Sequence, residues 1–187
     1  MKKLSPRARM LTGAAATALV GAVAFGAVSA TAAPAAPAAP QAAPARTEAG
    51  GADLTRSTHL SADAATRAAQ AALHAAEKDG QKVSVAVVDR NGNTVVTLRG
   101  DGAGPQSYAS AERKAFTAVS WNAPTSELAK RLEQAPNLKD IPGTLFLAGG
   151  APVKAAGAPI AGIGVAGAPS GDLDEKYAEA GVAAVSR

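Results

Sequence analysis

The chain has 187 residues, 47% of them hydrophobic but only 3% aromatic, and its 19 basic against 15 acidic side chains give a formal charge of +4. It contains no cysteine, which excludes disulfides, thiolate-ligated zinc, iron–sulfur centres and a lipid-anchored lipoprotein. Four of the basic residues and none of the acidic ones fall within residues 1–30, so the remainder is neutral and offers no electrostatic basis for binding nucleic acid or an anionic membrane.

Residues 1–30 open with Lys2, Lys3, Arg7 and Arg9, continue in an apolar run from Met10 to Val28, and end in Val28-Ser29-Ala30. A basic start, an apolar middle and a small-residue end are the parts of a secretory signal peptide. The run is borderline in length for a membrane span, but its Ala/Gly content and its ending favour export, with cleavage after Ala30 or a few residues later. Residues 31–57 form an Ala/Pro-rich linker, "TAAPAAPAAPQAAPARTEAGGA" over 31–52, whose composition buries too little apolar surface to order the chain. Residues 58–187 have the size of one domain with a single core.

Ser61 is a good N-cap, and Ala64, Ala65, Ala68, Ala72, Leu73 and Ala76 recur at helical spacing until Gly80 supplies a stop. Asp63, Arg67, Gln70, His74 and Glu77 make the solvated face, and His74 with Glu77 is too small a set for a closed metal site. "KVSVAVVDRNGNTVVTLR" places β-branched residues on both sides of Asn91-Gly92 and predicts a hairpin of two antiparallel strands. After a glycine-rich connector, "SYASAERKAFTAVSWNA" predicts a second helix from Ser107, followed by a short helix capped by Thr125 or Ser126 and ended by Pro136.

"GTLFLAGG" reads as a buried strand, and "APVKAAGAPIAGIGVAGA" as a weak strand, a turn at Gly157 and a glycine-bearing strand. In the last of these Gly162, Gly164 and Gly167 match the G-x-G-x-x-G spacing of a dinucleotide loop. Too little chain follows for the second parallel strand and ribose-binding acid that such a loop needs, so the glycines read as strand positions of close backbone approach. Alternation puts Ile160, Gly162, Gly164 and Ala166 on one side and Ala161, Ile163 and Val165 on the other. Ser170 caps a final helix whose first turn holds Asp172, Asp174 and Glu175, with Leu173, Tyr177, Ala180 and Ala184 along one side. This order predicts an α+β domain with an antiparallel sheet and packed helices.

Hydrolytic chemistry finds no support, because there is no nucleophile elbow and the two histidines, His59 and His74, cannot meet within one chain. Three of the six aromatics, Tyr108, Phe116 and Trp121, lie on the second helix together with Arg113, Lys114 and Thr117. Such a helix fits either packing on the sheet or a wall for a flat ligand such as haem, with Arg113 and Lys114 towards propionates and Thr117, Tyr108 or a histidine towards iron.

Three stretches carry a resemblance: V-D-x-x-G-x at Val88 to Asn93, S-A-E-R-K-A-F-T at Ser110 to Thr117, and P-I-A-G-I-G-V-A-G at Pro159 to Gly167. Together they resemble the GlcG/HbpS family of haem-binding proteins over about residues 58–186. The resemblance implies an α/β sandwich with an antiparallel sheet of about five strands, assembly as a homo-oligomer, an octamer, and haem or free iron as ligand. It further implies a secreted protein in haem and redox-stress sensing beside a membrane sensor histidine kinase of a two-component system. Haem degradation is implied by resemblance alone, and no conventional catalytic turnover is expected. The residues it points to are Ser110, Lys114 and Thr117, flanked by Tyr108, Arg113 and Phe116, with Thr117 first and His59 second for the iron side. The alternative on the same fold is a small-molecule enzyme or accessory of glycolate- or cobalamin-type metabolism.

Overall fold

The computed structural model describes residues 49–186, so the expected signal peptide and most of the expected linker lie outside the described residues. The described part of the linker includes a single 3-10 turn at Gly51–Asp53. The first helix, α1 (Ala62–Lys78), starts where Ser61 Oγ accepts a hydrogen bond from Ala64 N, and stops before Gly80, whose φ is +70°. Its six buried residues are all alanines. Strands β1 (Ser84–Asp89) and β2 (Thr94–Arg99) form the hairpin expected around Asn91-Gly92. Asp89 Oδ1 accepts from the N–H groups of Asn91 and Asn93, and Gly92 takes φ +88°, so the turn is built by the residues that turns select.

Helix α2 (Pro105–Trp121) begins two residues earlier than the expected Ser107, because Pro105 at its first position is preset for the helix, and it ends at Asn122 in the left-handed region. Helix α3 (Thr125–Lys130) follows, then two 3-10 turns at Arg131–Glu133 and Pro136–Asp140. Strands β3 (Gly150–Ala155) and β4 (Ala158–Ala166) pair across the Ala156-Gly157 turn, and α4 (Gly171–Ala183) closes the fold with Ser170 accepting from Leu173 N.

The sheet is antiparallel throughout with order β2-β1-β4-β3. One face carries Val85, Val87, Ala161, Ile163 and Val165 against α1 and α4; the other carries Ala86, Val88 and Ala166 against Ala111, Ala115 and Val119 of α2. The result is a three-layer α+β arrangement. Fully burying a Val or Ile side chain contributes about 2 kcal/mol, and Val85, Val87, Ile163 and Val165 have no exposed surface. Helices α1 and α4 approach closely because Gly181 has no side chain: a Cβ there would lie 2.8 Å from the Ala68 carbonyl oxygen.

Three expectations need correction. The described residues form four strands rather than about five, because residues 143–149 run as an irregular segment over α2: Leu145 N donates to the Thr117 hydroxyl instead of to a strand, and Gly149 has φ +127°. Ile160 joins the α1/α4 core rather than the side of Gly162. It is the extra residue of a bulge, since Val153 pairs with Ala161 while Lys154 pairs with Pro159. Neither Thr125 nor Ser126 caps α3; its cap comes from another helix, as described below.

Helix α4 is latched to the end of α1 at Asp79, whose carboxylate accepts from Lys176 Nζ at 2.8 Å and from the Tyr177 hydroxyl at 2.9 Å. The bonds from Lys176 and Tyr177 hold the Asp79 carboxyl below its ordinary range, while burial and then Asp79 hold the Tyr177 hydroxyl above its own. The Asp79 contribution is therefore present above its unfolded pKa and lost as pH falls through the lower folded value, and the Tyr177 contribution is lost as pH rises through its raised folded value. Tyr177→Phe is expected to lower Tm by a few degrees at neutral pH and to flatten the alkaline limb of a Tm-against-pH curve; an unchanged alkaline limb would show that the latch contributes nothing there.

Candidate functional site

Helix α2 carries the residues that stand out in the sequence, and two glycines set how it lies. A Cβ on Gly162 would overlap the Ala115 carbonyl oxygen, and one on Gly164 would overlap that of Ala111. The helix backbone rests directly on β4, which is the close approach the glycine spacing suggested.

That depth brings Lys114 into the interior. It is 2% exposed, and its ammonium donates to Val165 O at 3.0 Å and to Asp174 Oδ2 at 2.7 Å. Asp174 Oδ1 accepts from Ala168 N at 3.0 Å, so one buried ion pair ties α2, the end of β4 and the start of α4 together. Burial pushes the Asp174 carboxyl up, and the Lys114 ammonium opposes that shift. Beside it, Glu175 accepts from Ser126 N at 2.9 Å, from Gly149 N at 3.1 Å and from the Ser126 hydroxyl. A carboxylate from α4 thus caps α3. By sequence alone Asp174 and Glu175 read as ordinary helix-start acids. A signal was present for Asp174, which stands in register with the buried Tyr177, Ala178 and Gly181 at i, i+3, i+4 and i+7.

The two long edges of α2 border different depressions. On one side Gln106, Ser110 and Lys114 meet Leu147 and the segment 166–171 in a cleft of about 360 Å³. On the other, Glu112, Arg113 and Phe116 meet Val88, Gly92, Thr94 and Gly143 in a groove of about 170 Å³. Tyr108, 44% exposed, falls on the stripe of Glu112 and Phe116, since residues four apart share a helix face. Thr117 lies under the segment that separates the two depressions: it has no exposed surface, and its hydroxyl donates to Arg113 O and accepts from Leu145 N. The structure therefore places Ser110 and Lys114 on one flank, Tyr108, Arg113 and Phe116 on the other, and Thr117 beneath.

His59 borders neither depression. Its Nε2 is 2.6 Å from Ser57 Oγ and its Nδ1 is 3.9 Å from Asp89 Oδ2, near the β1–β2 turn. Among the described residues no group of three or more His, Asp or Glu side chains converges to hold a metal ion.

The groove combines an aromatic wall with a cationic side chain. The Phe116 ring forms its wall, and Gly92 and Gly143 both approach that ring without side chains of their own. The Arg113 guanidinium is exposed and in no ion pair among the described residues. The Lys114 charge, by contrast, is already neutralised by Asp174.

A family model described as "Haem degrading protein HbpS-like" matches residues 60–183. No curated protein matches the chain. Among solved structures, a double mutant of Streptomyces reticuli HbpS is 77% identical with TM-score 0.75, covering 79% of this chain and 100% of that one. A further HbpS structure is 79% identical with TM-score 0.75, covering 75% and 100%. A PduOC:heme complex is 27% identical with TM-score 0.62, covering 68% of this chain and 95% of that one.

Proposed function

The chain belongs to the HbpS-like family, and on that premise we propose that it binds haem, with the ring against Phe116 on the outer flank of α2. The observation that carries this placement is Arg113, in no ion pair among the described residues, beside an aromatic wall bounded by two glycines. We assign Arg113 to a propionate and Tyr108, exposed on the same helix stripe, to the iron side. The haem-bound relative supports the ligand, and the family resemblance supports a homo-oligomer, an octamer. The basic-apolar-small pattern of residues 1–30 supports an exported protein, and the family resemblance supports an accessory role beside a membrane sensor kinase in haem and redox-stress sensing.

Titrating the purified protein with haemin tests this. A saturable shift of the Soret band is expected. Arg113→Glu should raise Kd roughly tenfold, as expected for losing one charge-assisted contact of about 1.5 kcal/mol, and Tyr108→Phe should move the band. If the protein leaves the haemin spectrum unchanged, it is not a haem-binding protein; if both variants behave as wild type, the haem lies elsewhere.

A further inference from the structure

We infer that Asn91 is a site of covalent self-modification, where the chain converts its own side-chain amide to a carboxylate at the rim of the Phe116 groove. Cyclisation of an asparagine needs a free side chain and a following backbone nitrogen that can reach it. Asn91 is exposed at the β1–β2 turn, and among the described residues its side-chain amide makes no hydrogen bond; only its backbone N–H is held, by Asp89 Oδ1 at 2.8 Å. Gly92 follows, at φ +88°, and a residue without a Cβ leaves its nitrogen unhindered and its backbone free to rotate. Gly92 N donates to Asp89 O at 3.0 Å, so one bond at the tip of a hairpin has to open before the nitrogen reacts.

The other three asparagines lack this combination. Asn93 Nδ2 donates to Asp89 Oδ2 at 3.2 Å, and the β-branched Thr94 follows it. Asn122 Nδ2 donates to Gly157 O at 3.3 Å, and the next nitrogen, that of Ala123, donates to Ala118 O at 3.3 Å. Asn137 precedes Leu138, whose nitrogen donates to Ala135 O at 3.1 Å.

In the reaction the Gly92 nitrogen loses its proton to solvent and attacks Asn91 Cγ. The N–Cγ bond forms, the Cγ–Nδ2 bond breaks, and ammonia leaves. Water then opens the cyclic imide at either carbonyl, giving aspartate or isoaspartate, the latter with an extra methylene in the main chain. Either product adds a negative charge to the turn. Isoaspartate also shifts Gly92, whose Cβ position lies 2.9 Å from the Phe116 ring. The chemistry stands apart from the groove's ligand; its coupling to haem rests on the reading proposed above.

Incubating the purified full chain in warm, mildly alkaline buffer and mapping its peptides by mass and fragmentation is the test. Asn91 is expected to show the mass change of exchanging NH2 for OH, and to become a substrate for an isoaspartyl methyltransferase, at least about tenfold faster than the other asparagines, because only its successor lacks a Cβ. Asn91→Gln, which would have to close a larger ring, should stay unmodified at that position. An Asn91 that remains an amide under conditions that fully convert a synthetic peptide spanning Val88 to Thr94, or one that converts no faster than Asn93, overturns the inference. Excess haemin should slow the conversion severalfold by covering Gly92. If haemin binds and the rate stays the same, the modification stands and the placement of haem on Phe116 falls.

Discussion

Gly164→Ala is expected to be among the most damaging single substitutions in the domain. The added methyl would overlap the Ala111 carbonyl oxygen and lie 2.5 Å from Ala115 N. Both are backbone atoms in the middle of α2, so no side-chain rotation relieves the contact. The helix must lift from β4, and the Ala111, Ala115 and Val119 contacts with Ala86 and Val88 open with it. Overpacking a well-packed core costs about 1–3 kcal/mol and more where the backbone has to move; here at least ~3 kcal/mol is expected, with a fall in Tm of roughly 10 °C. Gly157→Asn is the matching control. Gly157 has φ +78° but open space around its Cβ position, and Asn tolerates that conformation, so the loss should stay within about 1 kcal/mol. Thermal unfolding followed by circular dichroism separates the two, and a near-wild-type Tm for Gly164→Ala would show that α2 is not seated on the strand as described.

Lys114→Met is expected to rank close behind. It keeps the length of the side chain but leaves the Asp174 carboxylate, 4% exposed, without its cation. Removing one member of a buried pair costs about 3–5 kcal/mol, because the remaining charge is desolvated and uncompensated. The pH dependence identifies the cause. Burial already holds Asp174 above its ordinary value, and losing Lys114 raises it further. A carboxyl raised in the folded state destabilises as pH rises through its folded pKa, so the deficit of the variant should be largest at neutral pH and shrink as the solution is acidified. Lys114→Met with Asp174→Leu removes both charges and should recover most of the loss. A deficit that does not vary with pH would assign the effect to packing rather than to the unpaired carboxylate.

Much of the architecture was legible along the chain. The alanine register of α1, the hairpin around Asn91-Gly92, the turn at Gly157 and the Ser170 cap all depend on residues within a few positions of one another, and each stands where its pattern put it. The apolar run at 143–149 failed the same test. Its hydrophobicity requires burial, and a buried strand and an irregular segment packed on a helix both provide it; the Thr117 hydroxyl, 28 residues away, decides between them. The α3 cap was misread for the same kind of reason, because the carboxylate that supplies it is 49 residues distant.

The candidate site divides in the same way. Composition and motif established an aromatic-bearing second helix, a strand whose glycines serve close approach, and the family to which both belong, because side-chain type and spacing are properties of the chain itself. Folding alone determined that Lys114 turns inward to Asp174, 60 residues on, that Arg113 stays unpaired among the described residues, and that Thr117 is covered. Each of these depends on which charge or hydroxyl another element brings within hydrogen-bond distance, a quantity that periodicity does not contain.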